Sequence, residues 1–234
     1  MMRRWQKMML MALGTLIAAT AVSAYPNLNA TTGLVGLPTA TEVAPGTLVL
    51  AADGLFFDRT LVDGRVVYGV TDRIEVGGGV VVGNHTGILA NAKYRLPFTP
   101  FGFTTAVGAA FASETDSRDG TQLYFVGTIP LASIAPSGTR IMGTLGVDYT
   151  NFDGDSGLRP FAGAQLFLGS RSELGAEYGV GTGSLGKPVS SIYWRQLLTP
   201  QWSGQVGFTN IDRFVGRDTH DVFVGLSYLY STGK

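Results

Sequence analysis

The sequence predicts an all-β protein, a single antiparallel transmembrane β-barrel of about twelve strands with ten to fourteen allowed, and three observations predict it. Segments of about ten residues alternate apolar with polar side chains, the period of a strand between unlike environments. The links between them fall into two alternating classes, one compact and one longer and charged. Glycine is abundant at 33 residues and aromatics make up 11%, while only 15% of residues are charged, a composition that suits a lipid-facing wall better than a water-facing one.

The N-terminus carries Arg3, Arg4 and Lys7, then an apolar run from Met8 to Ala21, then Val22-Ser23-Ala24 before Tyr25. This is the pattern of a secretory signal peptide cut after Ala24, and the run is shorter than the roughly 20 residues a spanning helix needs. Residues 1–24 are therefore expected to be a leader, 25–46 an irregular segment and 47–234 the barrel. With 17 acidic and 17 basic residues, nothing in the charge points to nucleic acid. The absence of cysteine removes disulfide scaffolds and thiolate metal sites.

Tyr25 to Pro45 reads as irregular, and the sequence does not decide whether it enters the lumen or stays outside it. The residues Gly33, Leu34, Pro38, Thr39, Ala40 and Gly46 lead into the first strand, and this stretch resembles the YjbH-like family of outer-membrane barrels associated with exopolysaccharide export. The resemblance spans about twenty residues and implies a barrel fold, with export of exopolysaccharide as its possible setting.

Strands are then expected at 48–57, 65–70, 73–83, 88–96, 103–113, 122–131, 140–152, 158–168, 172–180, 189–198, 202–211 and 221–230. Between Arg73 and Leu96 the pattern is clearest. Ile74, Val76, Gly78, Val80 and Val82 share one face, Arg73, Glu75, Gly77 and Gly79 the other, and Val81 is out of step. Pairing Gly83 with Gly87 would set Glu75 opposite Arg95. Links expected on the outer side are the charged ones, including Asp58-Arg59, 115–119, Asp153-Gly154-Asp155 and Asp212–Asp221; those on the periplasmic side, such as Thr71-Asp72 and 169–171, are short. Tyr94, Tyr149, Trp202, Tyr228 and Tyr230 are placed to form interfacial girdles. The last strand, Gly225-Leu226-Ser227-Tyr228-Leu229-Tyr230, resembles the C-terminal signal read by the barrel assembly machinery, except for Phe223 at a usually polar position and for the four residues after Tyr230.

The polar face supplies the candidate lumen residues Glu75, Lys93, Arg95, Asp148, Arg159, Glu173, Glu177 and Arg195, expected to pair across a narrow polar path. Catalytic, cofactor and metal sites are not indicated. Gly181 to Lys187 matches most of a phosphate loop, but Pro188 stands where the hydroxyl belongs and a strand follows, so a plain loop is expected. His85 and His220 fall in expected outer loops; Asp218 and Asp221 flank the second, which keeps an outer-membrane protease or lipase as an alternative. A soluble periplasmic β-barrel binding module is the other. The expected function is thus non-enzymatic, structural or transport-related, in the outer membrane, with lipids, the assembly machinery and a polysaccharide or small solute as partners.

Overall fold

Alternating sequences of this kind bury one face and expose the other only if the sheet closes, because an open edge would leave backbone donors unpaired in lipid. The computed structural model describes residues 27–28, 30–56, 60–83, 86–115, 119–134, 138–212 and 214–231, and in it twelve antiparallel strands close into one barrel. They are β1 Thr47–Phe56, β2 Leu61–Gly69, β3 Ile74–Gly83, β4 Gly87–Arg95, β5 Thr104–Glu114, β6 Asp119–Ile134, β7 Thr139–Phe152, β8 Asp155–Leu168, β9 Ser172–Gly179, β10 Val189–Leu197, β11 Trp202–Asp212 and β12 Val215–Ser231. Each pairs with its sequence neighbours, and β1 closes on β12 from Thr47↔Ser231 to Phe56↔Val222. The even number brings Thr47 and Ser231 to one rim, here the terminal rim; the opposite one is the far rim. The expected leader, Asp58-Arg59, His85 and residues 116–118 lie outside the described residues.

The outer face is apolar along its height. Val80 is 53% exposed, Leu145 56% and Phe208 55%, side chains that in water would be in a core. Tyr68, Tyr94, Trp202 and Tyr230 lie toward the terminal rim, where the Trp202 and Tyr228 rings sit 4.9 Å apart, while Tyr149 and Tyr178 lie toward the far rim. The aromatics thus form two bands, as amphipathic rings at two headgroup levels would.

Two expectations are corrected. Among the described residues, the charged ones read as long outer loops belong largely to strands, since β6, β7, β8 and β12 run for 16, 14, 14 and 17 residues, beyond the roughly 9–11 that cross a bilayer. Asp153 and Gly154 form a two-residue turn with φ of 55° and 85°, the doubly positive geometry that joins twisted strands most directly, so Asp155 is already paired with Phe152. Asp212 pairs with Val215, which puts Asp218, His220 and Asp221 on β12 as well.

The second correction is register. Val81, not Gly83, pairs with Gly87, so Glu75 faces Lys93 rather than Arg95. The slip is two residues, which leaves every side chain on its expected face. Val81 itself is fully buried inside the barrel, where Leu61 and Leu89 belong to the same apolar cluster. The lumen is therefore not polar throughout: toward the far rim it is packed with Leu55, Val81, Phe152, Phe214 and Phe223, with the Phe152 and Phe214 rings edge-to-face at 5.9 Å.

Candidate functional site: the filled lumen

The N-terminal segment does not precede the barrel; it occupies it. Among the described residues of 27–40 every side chain is buried, and Leu28, Ala30, Leu34, Val35, Leu37 and Ala40 form the centre of the apolar cluster that the wall surrounds. The segment doubles back through an antiparallel bridge between Gly33 and Pro38, then reaches the terminal rim, where Pro45 bridges Gly69 and β1 begins. Small residues in the wall make room for it. A Cβ at Gly77 would overlap the carbonyl oxygen of Ala30, and one at Gly163 would overlap the Leu34 side chain.

Inward charges hold the segment at three points. On β3, Glu75 accepts hydrogen bonds from Thr31 Oγ1 (2.7 Å), the Thr32 amide (2.8 Å), Thr32 Oγ1 (2.9 Å) and the Val43 amide (2.9 Å). Lys93 Nζ on β4 lies 3.2 Å from Glu75 and donates to Thr32 Oγ1 and the Thr41 carbonyl. On β9, the Glu177 carboxylate is cradled by the amides of Val35 (3.2 Å), Gly36 (2.8 Å) and Leu37 (3.0 Å), consecutive donors arranged as an anion nest. On β10, Arg195 donates to the carbonyls of Gly33 (3.0 Å) and Leu34. The Ala40 N–H donates to Thr128 Oγ1 at 3.0 Å.

Arg195 also joins a network along the wall. Its Nη1 lies 3.4 Å from Glu173, whose Oε1 accepts from Gln165 (2.8 Å) and Tyr193 (2.5 Å), and its Nε donates to Gln205 at 2.9 Å. Gln205 in turn donates to Asp53 (2.7 Å), which pairs with Arg65, itself 3.5 Å from Asp63. Nearer the far rim, Arg159 pairs with Asp148 at 2.9 Å and donates to the Phe214 carbonyl at 2.5 Å, tying the ionic layer to the apolar one.

Seven of the eight residues expected in the lumen, Glu75, Lys93, Asp148, Arg159, Glu173, Glu177 and Arg195, are buried on the inner face. Arg95 is the exception. It lies half-buried at the terminal rim, bonded to Glu42 at 2.8 Å and to the Asp72 carbonyl at 2.7 Å, because the register sets Lys93 beside Glu75. Burial raises the Glu42 carboxyl above its ordinary range, and Arg95 works against that rise. Sequence reasoning passed over Asp53, Asp63 and Arg65, since Leu48 to Phe56 is apolar on both faces and only Asp53 marks the inward one. The partners Thr31 and Thr32 carried no signal.

Gly181 to Lys187 lies in the link between β9 and β10, with one 3-10 turn over Gly183–Leu185. His220 is on the outer face of β12, its Nε2 3.1 Å from Ser190 Oγ; Asp218 is taken up by Lys187 at 2.5 Å, and Asp221 points inward. Ser190 and His220 thus form a single side-chain contact on the outer face of the barrel.

No family model matches the chain and no curated protein is similar to it. Among solved structures, the barrel is similar to the KdgM porin, with TM-score 0.60 and 14% identity over 78% of this chain and 98% of that one. The NanC porin (TM-score 0.57, 9% identity, 77% and 98% covered) and the outer-membrane protein Omp33 of Acinetobacter baumannii (TM-score 0.56, 8% identity, 79% and 98% covered) share the architecture. At these identities the likeness establishes the fold alone, a closed antiparallel β-barrel with the architecture of those proteins.

Proposed function

We propose that this barrel with porin architecture is a non-enzymatic outer-membrane protein that offers small hydrophilic solutes or oligosaccharides a narrow polar path, and that residues 27–43 close that path in the conformation described. The observation that carries this reading is the lumen: charged side chains line its interior on β1–β5, β7–β10 and β12, yet much of the axis is filled by a separate piece of chain rather than by the wall. A protein needing only a stable barrel has no use for costly buried charges that apolar packing would replace. One KdgM structure contains oligogalacturonate, which supports sugars as a solute class to test.

On this reading residues 1–24 are removed on export, the terminal rim faces the periplasm, lipids meet the apolar wall, and the β12 residues Gly225 to Tyr230 engage the assembly machinery. The YjbH-like resemblance fits the same picture. Gly33, Leu34, Pro38, Thr39 and Ala40, which carry it, are the turn and return of the lumenal segment, so the likeness would describe a plug motif and a role beside exopolysaccharide export. The test is vesicle swelling: liposomes with the folded protein should admit mono- and oligosaccharides faster than empty ones. The apolar seal of Phe152 and Phe214 favours a second reading, a purely structural barrel, which predicts no swelling.

A further inference from the structure

A barrel of about eight strands fills its interior with its own side chains, whereas one of sixteen or more leaves a water channel. Twelve strands lie between these limits, and here the axial space goes to residues 27–43, including six apolar side chains of the main cluster. The wall's own side chains fill the axis only toward the far rim, with Leu55, Val81, Phe152, Phe214 and Phe223; along the rest of it the segment takes the space. Two of the three anchors of the segment are wall carboxylates, Glu75 and Glu177, and the segment meets both with neutral donors, its amides and threonine hydroxyls.

The wall is also acidic. Among the described residues, the buried charged side chains are eight carboxylates and four cations. Glu173, fully buried between Arg195 and Tyr193, uses only Oε1; among the described residues its Oε2 meets no hydrogen-bond donor. When the segment leaves, its donors leave with it, and Glu75 and Glu177 join Glu173 with unmet acceptor capacity. Lys93 stays beside Glu75 and Arg195 beside Glu173, but eight buried carboxylates against four cations leave the wall net negative, and a low-dielectric wall focuses that field along the axis.

Resting on the passage reading, we propose that residues 27–43 are a displaceable gate and that the passage behind it selects cations, metal ions or small ammonium-bearing solutes, for which the segment's donors stand in when it is seated. Opening needs no strand to move: the segment is joined to β1 at the terminal rim, so it can swing out about residues 44–46 while the barrel stays closed on itself.

The experiment uses the folded full chain in planar phospholipid bilayers with potassium chloride more concentrated on one side. In Gly77→Val a side chain takes the place of the Ala30 carbonyl and unseats the segment without altering charge. In Thr31→Ala/Thr32→Ala the hydroxyls on Glu75 and Lys93 are lost without added volume, so a folding defect in the first variant leaves the second to decide. Both, with folding verified by heat-modifiable mobility, should spend about tenfold more time open than the unaltered protein. Their reversal potential should shift toward the potassium equilibrium potential. Equal conductance in all three proteins overturns the gate and leaves the passage reading standing. A chloride-directed reversal potential overturns cation selection. Folded variants that stay silent overturn the gate; if the unaltered protein also fails to swell vesicles, the passage reading falls as well.

Discussion

Lys93 lies opposite Glu75 across β3 and β4, its ammonium 3.2 Å from the carboxylate, and the same two groups hold Thr31, Thr32, Thr41 and Val43 of the lumenal segment. One ion pair therefore serves both the wall and its filling. Lys93→Met leaves a buried carboxylate without its cation and should cost about 3–5 kcal/mol. Adding Glu75→Gln should restore part of that loss, because the double variant no longer buries a lone charge. Urea denaturation of the protein refolded into vesicles measures both, and strictly additive losses would show that the pair is not coupled.

The outer face makes a depth-dependent prediction. Leu145 lies midway along β7 and points outward, so Leu145→Arg should cost about 2–4 kcal/mol, whereas Tyr230→Arg at the terminal rim should cost about 0–1 kcal/mol. Refolding into lipid vesicles reads the difference. A barrel with water outside would tolerate the two equally.

Phe223 departs from the usual C-terminal signal because its side chain is part of the lumenal core, not of the signal. It is fully buried, and its ring lies 2.8 Å from where a Cβ on Gly207 would stand. Phe223→Ala should remove about 3–5 kcal/mol, seen as a lower temperature for loss of the folded band on a semi-denaturing gel. The outward neighbour Val224, which has only lipid to lose, should give a much smaller shift when changed to alanine.

Glu42 gives the terminal rim a pH response. Its carboxyl is raised in the folded protein, so in the window just above the ordinary glutamate range the folded state binds more protons than the unfolded one. Stability should then fall as pH rises through that window and level off above the folded pKa. Glu42→Gln should flatten this slope, as urea midpoints across the range would register; an unchanged slope would assign it to other groups.

Sequence alone determined the wall. Alternation is a local property of a strand, so the outward apolar set, the inward polar set, the closure into an even-stranded barrel and seven of the eight expected lumen residues could be read from spacing without any long-range contact. A slip of two residues in the β3–β4 hairpin preserved those faces while changing the partner of Glu75 from Arg95 to Lys93, because parity is fixed by the strand and register by the turn. Only the tertiary structure decided what stands inside. The links of Glu177 to Val35, Gly36 and Leu37 join residues about 140 positions apart, and neutral amides carry no sequence signature for the carboxylate they bind. Likewise an inward Val81 or Phe223 reads as a misfit on a polar face until the axis of the barrel is seen to be packed, since burial inside a closed sheet depends on the whole circumference and not on any one strand.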